Sequence, residues 1–166
     1  MRRGPLVVDS SVLIALSKSG DLERSLRRRI LEGYEVLVPR AIMWEVVDEP
    51  LRLAEEMRGR SPVLAERIRA SAECIGGVIG AGLVKIEDVD YVRYSKVMDG
   101  VRKYLGEREG KPEHVVGKGD PELVALVAQL RGKSGERVLV ATQDKGLRRV
   151  LTVFLGETDY DVVESL

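Results

Sequence analysis

Across 166 residues the chain has one cysteine, one histidine, one tryptophan, one phenylalanine and no asparagine. The lone Cys74 excludes an intramolecular disulfide and a cysteine metal cluster, and the lone His114 excludes zinc fingers and multi-histidine metal sites. The apolar neighbours of Cys74 predict a small buried hydrophobe. The stretch around His114 is rich in glycine and charge and predicts a loop residue rather than a catalyst, and no nucleophile-elbow motif supports a Ser-His-Asp triad built on it. No apolar run approaches the roughly 20 residues that cross a bilayer. Asp9 interrupts the run after the basic Met1-Arg2-Arg3, so no signal peptide is expected and the chain reads as cytoplasmic. Net charge is missing as well, because 27 Lys and Arg balance 27 Asp and Glu. That excludes a polyanion binder working by bulk charge, and nucleic acid would be held by local patches and by metal. The shortage of asparagine and glutamine, with 33% charged residues, predicts a thermophilic source.

Apolar residues in an alternating strand and helix pattern are abundant. Leu6-Val7-Val8 is the short continuous run of a parallel strand buried on both faces. Glu35 to Val38, Val84 to Ile86, Val138 to Ala141 and Tyr160 to Val163 read as further strands. Helices are expected from Ser11 to Ser17, closed near Gly20, and after Asp21 with Leu22, Leu26 and Ile30 in one row. A third opens after Pro39, carries Ile42, Glu45 and Val46, and is ended or kinked by Pro50. A long helix from Ser61-Pro62 presents Leu64, Ile68, Ala72, Ile75 and Ile79. Others run from Tyr94 to Leu105, from Asp120-Pro121 with Leu123, Leu126, Val127 and Leu130 inward, and from Lys145 to Phe154. Residues 106–119 read as a mobile loop. The alternation predicts a three-layer α/β/α fold around a central, mainly parallel five-stranded sheet.

Four acids sit where a strand or loop gives way to a helix: Asp9, Glu45, Asp120 and Asp144. Three have plain structural readings. Asp120 before Pro121 suits an N-cap, Asp144 before Lys145-Gly146 suits a turn or cap, and Glu45 suits a solvated helix face. Asp9 directly follows an apolar strand, at the sheet edge where α/β proteins bind ligands. If the strands ending at Val8 and Ala141 are neighbours, the four acids converge into a pocket too negative to exist without a cation. Such oxygen ligands suit Mg²⁺ or Mn²⁺ and point to phosphodiester chemistry. Glu122 either joins that site or only favours a helix N-terminus. Lys145, Arg148 and Arg149 directly follow Asp144 and are placed to grip phosphates; Arg24, Arg27, Arg28 and Arg29 read equally well as a solvated face. Trp44 and Tyr34 offer stacking surfaces but read as core or interface. The alternative from another class is a non-catalytic, Mg-binding regulatory module of receiver type. Receivers pair acids at the end of their first strand, whereas Val8 and Ser10 flank Asp9 here.

Val-Val-Asp9-Ser-Ser-Val-Leu-Ile, Val38-Pro39 with Glu45 six residues on, Gly119-Asp-Pro-Glu-Leu-Val-Ala-Leu and Val140-Ala-Thr-Gln-Asp follow one another along the chain. In this order they resemble the four motifs of the PIN-domain nucleases, the family that includes the VapC-type toxins of toxin–antitoxin pairs. The resemblance implies a single PIN-like domain over residues 1–166, with a helical insertion or extension around 50–119. It implies catalytic, metal-ligating roles for Asp9, Glu45, Asp120 and Asp144 toward Mg²⁺ or Mn²⁺. Ser10 and Thr142 would then orient ligands or water from behind. RNA as substrate, a 5′-phosphate and a 3′-hydroxyl as product ends, an antitoxin partner and a homodimer are implied in the same way. A PIN ribonuclease of housekeeping RNA processing would share this chemistry. Leu147 and Arg148 stand where the family often carries a further acid.

Overall fold

Leu6, Val7 and Val8 are wholly shielded from solvent because β1 (Gly4–Val8) is the middle strand of the sheet. The computed structural model describes residues 2–166. In it β1 pairs in parallel with β2 (Tyr34–Val38) on one side and β4 (Val138–Ala141) on the other. The short β3 (Lys85–Ile86) and β5 (Tyr160–Val163) extend the sheet in parallel to the order β3-β2-β1-β4-β5. Helices flank this sheet, giving the expected three layers. No helix among the described residues is long and apolar enough to cross a membrane.

The chain passes from β1 straight into α1 (Ser10–Ser19), which Gly20 closes at φ 78°, a left-handed conformation that glycine adopts without a Cβ penalty. In α2 (Leu22–Leu31), Leu22 and Leu26 are buried, but Ile30 is 38% exposed and falls outside the core row. After β2, Pro39 precedes α3 (Arg40–Met43), and the helical path continues through a π-turn, Trp44–Asp48, into α4 (Glu49–Met57). Pro50 therefore does not end the helix. Its missing N–H cannot serve an i→i−4 bond, and the ladder widens instead: the Glu49 N–H donates to the Trp44 carbonyl, five residues back.

The long helix α5 (Pro62–Gly80) runs through Gly76 and Gly77 and buries Ala65, Ala72, Ile75 and Val78. This phase turns Cys74 outward, so the cysteine is exposed rather than buried as its apolar neighbours suggested. The expected loop over 106–119 is also shorter, because α6 (Ser95–Glu109) includes Gly106. A Cβ there would meet the Lys111 carbonyl at 2.8 Å, so glycine lets the chain fold back onto the helix. A single 3₁₀ turn, Glu113–Val115, carries the exposed His114.

Helix α7 (Gly119–Ser134) packs against α3, α6, α8 (Lys145–Phe154), β1 and β4. Beyond the expected Leu123, Leu126, Val127 and Leu130, it buries Val124, Ala125 and Gln129. Burial on most sides fixes the first turn of α7, which holds Asp120 and Glu122.

Candidate active site

From β1 the chain builds outward to β2 and β3, then returns to place β4 on the other side of β1. The crevice above β1 and β4 is thus the topological switch point, where open α/β sheets bind ligands. Asp9 leaves β1 there, and its N–H bonds the Ala141 carbonyl of β4 at 2.9 Å. The Asp9 carboxylate is buried at 2% exposure. One oxygen accepts the Ser10 N–H at 2.8 Å and the Ser10 hydroxyl at 3.4 Å. The other accepts the Ser11 hydroxyl at 2.9 Å and the Thr142 hydroxyl at 2.8 Å. A buried carboxylate that accepts from so many donors is held in one orientation. Thr142 Oγ1 accepts the Asp144 N–H at 3.0 Å, and Ser11 Oγ accepts the Gln143 N–H at 3.1 Å. These bonds tie the β1 and β4 termini into one unit. Asp144 is exposed and caps α8 through the Gly146 and Leu147 N–H groups at 2.7 and 3.3 Å. The cap reading of Asp144 is therefore correct, and its second oxygen is left over for other work.

Glu45 reaches the site from the π-turn. Its Oε1 accepts the Gly119 N–H at 3.1 Å, across the chain from α7. A Cβ on Gly119 would lie 2.5 Å from that oxygen, so only glycine leaves room for the carboxylate. Asp120 is not an N-cap, because α7 starts one residue earlier and Lys118 holds the cap position. Glu122 is buried and accepts the Tyr91 hydroxyl at 2.9 Å.

Two of the four carboxylates, Asp120 and Glu45, feel the acids around them. Burial, followed by the charges of Asp9, Asp144 and Glu45, raises Asp120 to about 7. Burial also raises Glu45, with Asp9 and Glu122 adding to the push and the Gly119 N–H opposing it. The acids thus share one electrostatic environment at one sheet edge. As the side chains stand, no group of three or more His, Cys, Asp or Glu among the described residues is arranged to hold a metal ion. Glu122 adds to the upward push on Glu45 and lines a neighbouring cleft.

The basic residues separate into two kinds. Arg24 pairs with Asp21, Arg27 with Glu23, and Arg28 and Arg29 share Glu32, so this face is occupied by its own ion pairs. On α8, Lys145 and Arg149 are exposed, and Arg148 lies 3.6 Å from Glu164. Tyr34 is half-buried beneath Arg29, whereas Trp44 is 53% exposed and is not a core residue. Ser11, Gly119 and Tyr91 are site neighbours that sequence reasoning did not single out. Ser11 had a signal in the doubled serine after Asp9; the other two act across the fold.

No curated protein matches the chain. A model of the family described as the halobacterial PIN domain matches residues 3–164. With that match spanning nearly every residue, and the acids gathered at the switch point of a five-stranded parallel sheet, the chain belongs to the halobacterial PIN domain family of PIN-domain nucleases.

Proposed function

We propose that this PIN domain is a Mg²⁺- or Mn²⁺-dependent endoribonuclease that hydrolyses RNA phosphodiester bonds and acts as a VapC-like toxin. The observation that carries this reading is the gathering of Asp9, Glu45, Asp120 and Asp144 at the switch point of the sheet, a negative load that, after burial, helps raise Asp120 to about 7. A divalent cation relieves such a load. The donor set is carboxylate oxygen throughout, which fits these hard ions, and Asp9, Glu45, Asp120 and Asp144 would hold the ion. When bound, the ion supplies Lewis acidity toward water and charge neutralisation at phosphate oxygens.

The chain's own residues do the positioning. Ser10, Ser11 and Thr142 hold the Asp9 carboxylate in one orientation, and the Gly119 N–H does the same for Glu45. Lys145, Arg148 and Arg149 would bind the flanking phosphates.

Mn²⁺-dependent cleavage of structured and single-stranded RNA tests the reading, with Asp9→Asn and Asp144→Asn as controls. Each variant is expected to stay folded and to lose at least the ~10–100-fold that removing even an outer partner of a metal site costs. Full activity in either variant would sink the mechanism. Toxin action predicts growth arrest on expression, relieved by a co-expressed antitoxin; a PIN ribonuclease of housekeeping RNA processing would cleave RNA without arresting growth. A homodimer belongs to the same reading.

A further inference from the structure

Beside the acids lies a cleft of about 540 Å³. Its walls include Arg40, Trp44, Glu45, Tyr91, Lys118 and Glu122. Trp44 and Tyr91, from the π-turn and from the loop after β3, are each 53% exposed. Exposing two large rings in a chain with 4% aromatics calls for an occupant. Tyr91 is held in place by its bond to Glu122, and π-turns such as the one carrying Trp44 occur frequently at functional sites. Glu45, one of the four acids, lines the cleft, so the cleft borders the proposed catalytic edge.

The wall chemistry narrows the occupant. Two carboxylates facing inward repel a phosphate from the interior. An apolar side chain would cover the Glu122 carboxylate without giving it a donor in exchange for water. The cleft therefore fits a flat ring with apolar faces and hydrogen-bond donors on its edge. A nucleobase of the substrate strand has that form, and Arg40 and Lys118 at the cleft wall supply cationic groups for its flanking phosphates. Arg40 is steadied by Asp88 through bonds of 2.9 and 3.2 Å.

We infer that this cleft is a base-recognition subsite in which Trp44 and Tyr91 supply stacking surfaces and Glu122 selects guanine. A carboxylate is an acceptor only, and guanine alone offers a ring N–H beside an exocyclic amino group, two parallel donors for its two oxygens. Adenine and cytosine offer the amino group with an acceptor beside it, and uracil flanks its single N–H with two carbonyls. The inference rests on the ribonuclease reading above.

Two measurements test it. In the first, short single-stranded RNAs of random sequence are cleaved with Mn²⁺ and the product ends are sequenced. Guanine is expected to be enriched at one fixed position beside the cut, and Glu122→Gln to abolish that enrichment. Trp44→Ala should lower kcat/KM by roughly tenfold, within the range for loss of one base-stacking partner. The second reads the fluorescence of Trp44, the only tryptophan, in EDTA, so that no cleavage occurs. Guanosine monophosphate should quench it at a concentration at least fivefold lower than uridine monophosphate, and Glu122→Gln or Tyr91→Phe should narrow that gap. Cleavage without base preference, or equal quenching by the two nucleotides, overturns the subsite. Guanine-selective quenching without any RNA cleavage overturns the ribonuclease reading and leaves the cleft as a guanine-binding site.

Discussion

The Glu45 carboxylate occupies the space a side chain on Gly119 would need, with its Oε1 2.5 Å from the ideal Cβ position and bonded to the Gly119 N–H. The obstructing atom is the free end of a flexible side chain, so a methyl group there displaces the carboxylate before it disturbs the fold. Gly119→Ala should change thermal stability little, since the site is the first turn of the helix, where the alanine preference of roughly 1 kcal/mol in a helix interior is not fully felt and the lost Glu45 bond offsets it. The same variant should lose at least about tenfold in cleavage, the low end for a lost ligand-orienting contact. Wild-type activity in Gly119→Ala would mean that Glu45 does not act from this position. The contact joins residues 74 apart, which is why no local pattern announces it. Asp9 is different. Its place after a run of three fully buried residues puts it at a strand end, and its role can be read from its immediate neighbours.

At the level of whole elements, legibility depends on how strongly one face is marked. The strands stand out because both their faces are buried, which makes them short continuous apolar runs. Helix α5 is harder, because its buried face is carried largely by the small residues Ala65 and Ala72, while the larger Leu64 is 47% exposed. Small residues let α5 approach α1 and α4 closely, but they barely stand out in a hydrophobic pattern. With the buried face so weakly marked, the apolar neighbours of Cys74 are a false sign of burial. In the native protein this one thiol should react stoichiometrically with a disulfide reagent at neutral pH, at a rate within about tenfold of the unfolded chain, since accessibility rather than burial sets it. A thiol that reacts only after denaturant is added would show that α5 is rotated from the phase described here. The π-turn was equally hidden: Pro50 announces a break, and only packing decides that the break widens the ladder rather than ending the helix.

For the molecule as a whole, the decisive fact absent from any local pattern is the order of the strands. The sequence motifs supply acids at strand ends and helix starts; the return of the chain to place β4 beside β1 brings them to one edge. Concentrating carboxylates there works against folding when no cation is present, and pH exposes that conflict. Asp120 rises from 3.8 to about 7 in the folded protein, chiefly through burial and then through Asp9, Asp144 and Glu45. The native state therefore binds a proton more tightly than the unfolded chain, and stability must fall as pH rises between those two values and level off above the upper one. Glu45, also raised, acts in the same sense. At about 1.4 kcal/mol for each pH unit of displacement, the loss amounts to a few kcal/mol at most. In EDTA, the urea midpoint of the wild type should drop from pH 5 to pH 8, and Asp120→Asn should remove most of that slope. Millimolar Mn²⁺ at pH 8 should raise the wild-type midpoint, because a ligand that binds only the folded state adds its binding free energy to stability. A wild-type midpoint that rises with pH over this window, or one that Asp120→Asn leaves unchanged, would show that the acids do not share a common field. The mutual loading on which the cation site is argued would then be lost.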